Sequence, residues 1–206
     1  MQPFRQVTGI AAALPAANVD TDVIMPKQFL KGIDRGGLDR GVFHHLRFDA
    51  DGASRPGFVL NQPPWTEAAF LVVGPNFGCG SSREHAVWGL SQLGVRALIG
   101  ASFAGIFFDN CARNGLLAVT LEAPAVEALS ARAAQAGSAL MTVDLEAQVI
   151  VADGLTVPFE IEPGRRQALL EGLDAVGMAL QRAGEIRAFE ARHFAEQPWL
   201  RPEPRR

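Results

Sequence analysis

Ala69-Phe-Leu-Val-Val-Gly-Pro-Asn-Phe-Gly-Cys-Gly-Ser-Ser-Arg-Glu-His85 reads as a strand, a glycine loop and the start of a helix in one uninterrupted run. Ala69–Val73 is wholly apolar and rich in β-favouring side chains, which suits a strand. The loop then carries Gly74, Gly78 and Gly80, with Ser81, Ser82 and Arg83 at its far edge. Glycines let backbone N–H groups come close to a ligand, and a helix start adds unpaired N–H donors and the positive end of a dipole. The run therefore predicts a site for a carboxylate or phosphate with hydroxyls beside it. Ser81-x-x-Glu84 also matches a capping box, a purely structural device. A phosphate loop is excluded because no Lys-Ser or Lys-Thr follows the last glycine, and a nucleophile elbow because Gly80-Ser-Ser-Arg-Glu84 lacks its closing glycine.

Outward from this run the pattern alternates. Arg5–Leu14 predicts a strand, and Lys31–Pro64, rich in Gly, Asp, Arg and Pro, predicts a long functional or partner-ordered loop. Helix Ser82–Leu93 should stop at Gly94, followed by strand Val95–Ile99, a helix near Phe103–Asn114 and strand Leu116–Leu121. Helix Pro124–Ala136 comes next, then strands Met141–Val151 and Leu155–Ile161 around the turn Ala152-Asp-Gly154. Helices Gly164–Glu171 and Leu173–Glu190 close the chain. Alternating strands and helices with a late hairpin predict an α/β fold with a mixed sheet.

The chain has 206 residues, enough for a single domain with a substantial core, here 1–206 with the core at about 4–190 and a solvated tail at 191–206. Its 48% hydrophobic and 20% charged residues are ordinary globular values, and a net charge of −3 leaves no footprint for nucleic acid. No apolar run is long enough to span a membrane, and the N-terminus lacks a secretory pattern, so a cytoplasmic location is expected. Two cysteines make no disulfide framework, which fits a reducing compartment.

The same two cysteines, Cys79 and Cys111, are too few to hold an iron–sulfur cluster, which takes three or four thiolates. Cys79 beside a helix start has two readings, a low-pKa nucleophile or a small packing residue. The four histidines show no metal-site spacing, so no metal is expected on this chain. His85, on the first helical turn, is expected to hydrogen-bond the loop.

Gly78-Cys-Gly-Ser-Ser-Arg-Glu-His85 resembles the signature of the swivelling domain of the aconitase superfamily. Asn18-Val-Asp-Thr-Asp-Val-Ile-Met-Pro-Lys-Gln-Phe-Leu30 and Ala101-Ser-Phe-Ala-Gly-Ile-Phe-Phe-Asp-Asn-Cys-Ala-Arg-Asn-Gly-Leu-Leu117 agree with it, in order. In its stand-alone form the chain is similar to the small subunits of bacterial isopropylmalate dehydratases. That resemblance implies a three-layer β/β/α swivelling domain, a separate large subunit bearing a 4Fe–4S cluster, and hydro-lyase chemistry on a small dicarboxylate in leucine biosynthesis.

Residue by residue, the resemblance makes Ser81 the base that moves the proton at the carbon next to a carboxylate. It makes Ser82 and Arg83 carboxylate-holding residues, Asp22 an active-site aspartate and Arg35 a second substrate-facing arginine. The fork of an arginine suits a carboxylate because it donates two parallel hydrogen bonds. Without the resemblance, Asp22 is a turn residue and Arg35 a solvated loop charge. Phe29–Asp34 is where recognition of the substrate side chain is expected. Sister hydro-lyases acting on homoaconitate, citraconate or methylmalate, or dimethylmalate share the chemistry. A non-catalytic anion-binding module and a stand-alone cysteine enzyme built on Cys79 are the rivals from other classes.

Overall fold

The computed structural model describes residues 1–31 and 35–202. One seven-stranded mixed sheet runs in the order β4-β3-β2-β1-β5-β6-β7. Strands β1 (Gln6–Leu14), β2 (Ala68–Val73), β3 (Ala97–Gly100) and β4 (Leu117–Thr120) are parallel neighbours, and β5 (Leu140–Asp144), β6 (Val149–Ala152) and β7 (Leu155–Pro158) extend the sheet antiparallel from β1. The α/β class with a mixed sheet is as the sequence predicts.

The apolar run of β2 is buried on both faces because its side chains alternate between two cores. Phe70 and Val72 join Ala97, Ile99, Leu117 and Val119 in one core, while Leu71 and Val73 join Leu98 and Ala118 in the other. The first core also holds Met141, Val143, Ile150 and Val157 from the antiparallel half, so the sheet curls and both halves share one interior. Helix α5 (Ala123–Ala133) packs into that interior through Val126, Leu129 and Ala133. The opposite core lies under helices α3 (Glu84–Gln92) and α4 (Gly105–Arg113) through Ala86, Val87, Leu90, Phe107 and Cys111.

The segment after β1 is more ordered than its composition predicts. It contains the short helices α1 (Thr21–Ile24) and α2 (His44–Arg47), and Leu38, Val42, Phe43 and Leu60 are buried in the core beneath α3. Polar anchors hold it: Asn61 Nδ2 donates to the Arg47 and Arg55 carbonyls at 2.7 and 2.9 Å. The Phe29–Asp34 stretch falls partly on residues 32–34, outside the described residues.

Two expected elements divide. Met141–Val151 breaks into β5 and β6 because the Asp144 carboxylate accepts from Ala147 N at 2.8 Å and Gln148 takes a positive φ of 54°. The following turn is the expected tight hairpin, with Asp153 and Gly154 at φ 37° and 74° between the paired Ala152 and Leu155. The last long helix divides after Leu180 into α7 (Ala175–Leu180) and α8 (Ala183–Glu196), which continues beyond the expected end at Glu190. The carboxylate of Glu162, held well below the usual range by hydrogen bonds from the N–H groups of Gly164 and Arg165, caps helix α6 (Pro163–Glu171).

Candidate active site at the carboxyl ends of the parallel strands

Loops leaving the carboxyl ends of β1, β2 and β3 meet above the sheet edge, where open α/β folds place ligands. Backbone bonds lace the three together. Asn18 N donates to Pro75 O at 2.9 Å, Gly78 N to Val19 O at 2.8 Å and Thr21 N to Cys79 O at 2.9 Å. On the other side Phe77 N donates to Ser102 O at 3.3 Å and Ala104 N to Phe77 O at 3.0 Å. The central loop can pass between its neighbours only because Gly78, at φ +77°, has no side chain; a Cβ there would enter the Phe107 ring.

Asp20 caps α1, its carboxylate accepting from Val23 N at 2.7 Å, and this places Thr21 and Asp22 in the first turn. Asp22 forms an ion pair with Arg83. The Arg83 guanidinium against it holds the Asp22 carboxyl below its usual range. The Arg83 side chain is only 9% exposed, whereas Asp22 is 45% exposed. Among the described residues the buried Nη1 of Arg83 has no well-aligned hydrogen bond and faces the Asp22 carboxylate.

A cavity of about 140 Å³ gathers Thr21, Gly78, Gly80, Ser81, Ser82 and Arg83 with the residues that open α4. Ser81 and Ser82 are exposed at it. Broader hollows of about 620 Å³ beside Glu122 and Glu160 and about 390 Å³ between α4 and α6 lie elsewhere. Neither contains any of the three sequence segments' serines, so size does not identify the site here.

The capping box is not formed. Helix α3 begins at Glu84 with Arg83 as its N-cap and no side-chain cap. Glu84 accepts from Asn114 Nδ2 at 2.7 Å instead of reaching back to Ser81. The Ser81 hydroxyl is thereby released from structural duty. His85 likewise sets its ring 4.7 Å from Trp88 and makes no hydrogen bond to the described residues of the loop.

Asp22, Ser81, Ser82 and Arg83 come together, but Arg35 does not line their cavity. Its guanidinium carbon lies 4.1 Å from the Trp88 ring centroid, along the flank of α3, and its carbonyl accepts from Gln92 Nε2 at 2.5 Å. Thr21 is the residue that sequence reasoning passed over. It is buried and its hydroxyl donates to the Ser81 carbonyl at 2.8 Å. The signal was a small polar residue set between two aspartates in a motif-bearing loop.

Cys111 is fully buried, and desolvation pushes its pKa far above the ordinary thiol value, while Cys79 is half-buried in the serine loop with its backbone paired to Asp20. Among the described residues no three His, Cys, Asp or Glu side chains gather as a metal site. Among those residues too, no helix is long and apolar enough to cross a membrane.

Comparison with known proteins gives the family. The family model for the aconitase C-terminal domain matches residues 1–124 and a LeuD_N model matches 127–163. A model for the C-terminal domain of the 3-isopropylmalate dehydratase small subunit matches 176–203. The chain is 53% identical over 201 residues to 3-isopropylmalate dehydratase small subunit 1 of Mannheimia succiniciproducens, covering 98% of this chain and 100% of that one. It is 54% identical to small subunit 2 of Salmonella typhimurium, covering 98% and 97%. The crystal structure of 3-isopropylmalate dehydratase from Methanocaldococcus jannaschii superposes with a TM-score of 0.65 at 26% identity, covering 90% of this chain and 99% of that one. Full-length similarity at this level places the chain in the family of 3-isopropylmalate dehydratase small subunits, within the aconitase superfamily.

Proposed function

We propose that this chain is the small subunit of a hydro-lyase that interconverts 2-isopropylmalate and 3-isopropylmalate in leucine biosynthesis, working as one domain beside a large iron–sulfur subunit in the cytoplasm. The observation that carries the reading is the convergence of Ser81, Ser82 and Arg83 on one cavity at the carboxyl ends of the parallel strands, with Asp22 paired to Arg83 beside it. A 4Fe–4S cluster on the large subunit supplies Lewis-acid assistance to the departing hydroxyl.

This chain contributes the proton transfer and the grip on the substrate. Ser81 is the base at the carbon next to a carboxylate. Its alkoxide form needs stabilisation, and the helix start at Glu84 together with Arg83 provides positive potential beside it. Arg83 binds a substrate carboxylate with the nitrogens that Asp22 leaves unpaired, and Ser82 adds a hydroxyl. Arg35 makes a second carboxylate contact after swinging from the face of Trp88.

The test is to mix the purified chain with its cluster-loaded large subunit and follow both isopropylmalate isomers. Activity should need both chains. Turnover by this chain alone, or a pair that ignores isopropylmalate but converts another alkylmalate, rejects the assignment.

A further inference from the structure

Helix α3 begins at the serine loop and carries Glu84, Trp88 and Gln92 at intervals of four residues, a spacing that sets their side chains in one row along the helix. The last of the three reaches across to the segment after β1 and binds its backbone twice. Gln92 Oε1 accepts from Leu38 N at 2.8 Å, and Gln92 Nε2 donates to the Arg35 carbonyl at 2.5 Å. Gly36 and Gly37 lie between these two bonds, and Gly37 has a φ of +73°. Two glycines make this turn costly to order, because they give up more backbone freedom than other residues. One side chain on a helix fixes both ends of it.

The same row holds the guanidinium of Arg35, whose Cζ lies 4.1 Å from the Trp88 ring centroid. The indole is itself held. Trp88 Nε1 donates to Asn114 Oδ1 at 2.8 Å, and Asn114 Nδ2 donates to Glu84 Oε1 at 2.7 Å. Arg35 is exposed, and among the described residues no carboxylate pairs with it. Its backbone is therefore tied down while its charge rests on an aromatic face, a weak hold that a carboxylate outcompetes. Trp88 follows Arg83 by five residues, so Arg35 rests about one and a half turns along the helix from the buried arginine of the site.

We propose that Gln92 is a positioning residue for substrate binding: it holds the Arg35–Leu38 turn against α3, so that the Arg35 guanidinium exchanges the Trp88 face for a substrate carboxylate by side-chain rotation alone. The proposal rests on the reading of Arg35 as a second carboxylate contact. Gln92 touches no substrate itself. It acts by sparing the turn the cost of becoming ordered when the ligand arrives.

The reconstituted two-subunit enzyme tests this with Gln92→Met, Arg35→Ala and the double variant. Gln92→Met keeps the length and helix propensity of the side chain and removes both bonds. It should raise KM for isopropylmalate by roughly three- to tenfold, as two exposed hydrogen bonds warrant, while kcat stays within about twofold. Arg35→Ala removes the guanidinium and leaves in place the carbonyl that Gln92 binds. In that background Gln92→Met should change KM by less than about twofold, because the group through which it acts is gone. A merely structural glutamine lowers Tm and raises KM by the same factor in both backgrounds, and that result overturns the proposal. So does wild-type KM in Gln92→Met. Should Gln92→Met fail to fold, Gln92→Ala removes the same bonds without adding bulk, and its KM in the two backgrounds decides. An inactive wild-type pair rejects the small-subunit reading. An active pair whose KM ignores Arg35→Ala rejects the Arg35 contact and this proposal with it. An active pair sensitive to Arg35→Ala but not to Gln92→Met rejects the positioning role alone.

Discussion

The hydroxyl of Thr21 donates to the Ser81 carbonyl at 2.8 Å, joining residues 60 positions apart. Thr21 is 1% exposed, so this bond fixes the backbone of the proposed base from inside the protein. Asp20, the neighbour of Thr21, caps α1, and Thr21 N donates to Cys79 O, so two bonds from Thr21 tie the loop after β1 to the serine loop.

Thr21→Val keeps the shape and removes the donor. It should lower stability by about 1–3 kcal/mol, the cost of a lost buried hydrogen bond that leaves its acceptor unpaired. Turnover should fall with little change in KM, since the variant moves Ser81 and not Arg83. Thr21→Ser should restore most of both, and thermal melts with steady-state kinetics check this.

The Asp22–Arg83 pair predicts a pH signature. Contact with Arg83 lowers the folded pKa of Asp22 below its ordinary 3.8, so the pair contributes stability that is fully present above that value and is lost as the pH falls through the lower folded value. Asp22→Asn removes this titration. Wild type and variant should differ in Tm at neutral pH and converge in strong acid, with a gap kept small by solvent around the exposed carboxylate. At neutral pH the variant should also raise KM, because the buried Arg83 loses the partner that orients it. Parallel Tm curves across the acid range reject this role for the pair.

Arg83→Lys keeps the charge but loses the planar fork. It should reduce kcat/KM by very roughly 30- to 1,000-fold, or about 2–4 kcal/mol. Arg35→Lys separates two roles for Arg35. A comparable loss places its guanidinium on the substrate, whereas a near-silent result leaves it stacked on Trp88.

The strand, glycine loop and helix around Ala69–His85 were legible because each carries a strong local signal: a continuous apolar run, punctuation by glycine, and helical periodicity. The tight hairpin at Asp153-Gly154 was legible for the same reason. The capping box was misread because its residues had better options in three dimensions. Asn114, distant in sequence, takes the Glu84 carboxylate, and Thr21 takes the Ser81 carbonyl. In the Lys31–Pro64 stretch, residues 35–64 concealed their order because their apolar side chains are spaced for packing under α3, with no helical or strand period. The resemblance named Asp22, Ser81, Ser82 and Arg83; the last three line one cavity and Asp22 pairs with Arg83. Arg35 sits on an indole face that no spacing rule foretells.

Ser81→Ala in the reconstituted enzyme tests the proposed proton transfer with the least ambiguity, because the Ser81 side chain is exposed and does not cap α3. Tm should stay within about 0.5 kcal/mol of wild type in stability terms, as for an ordinary surface change. Association with the large subunit should be unaltered, while kcat for isopropylmalate falls by roughly 10²–10⁴, the usual contribution of a positioned base. Near-normal turnover in a folded, fully associated Ser81→Ala enzyme would remove Ser81 from the chemistry and assign the proton transfer to another group.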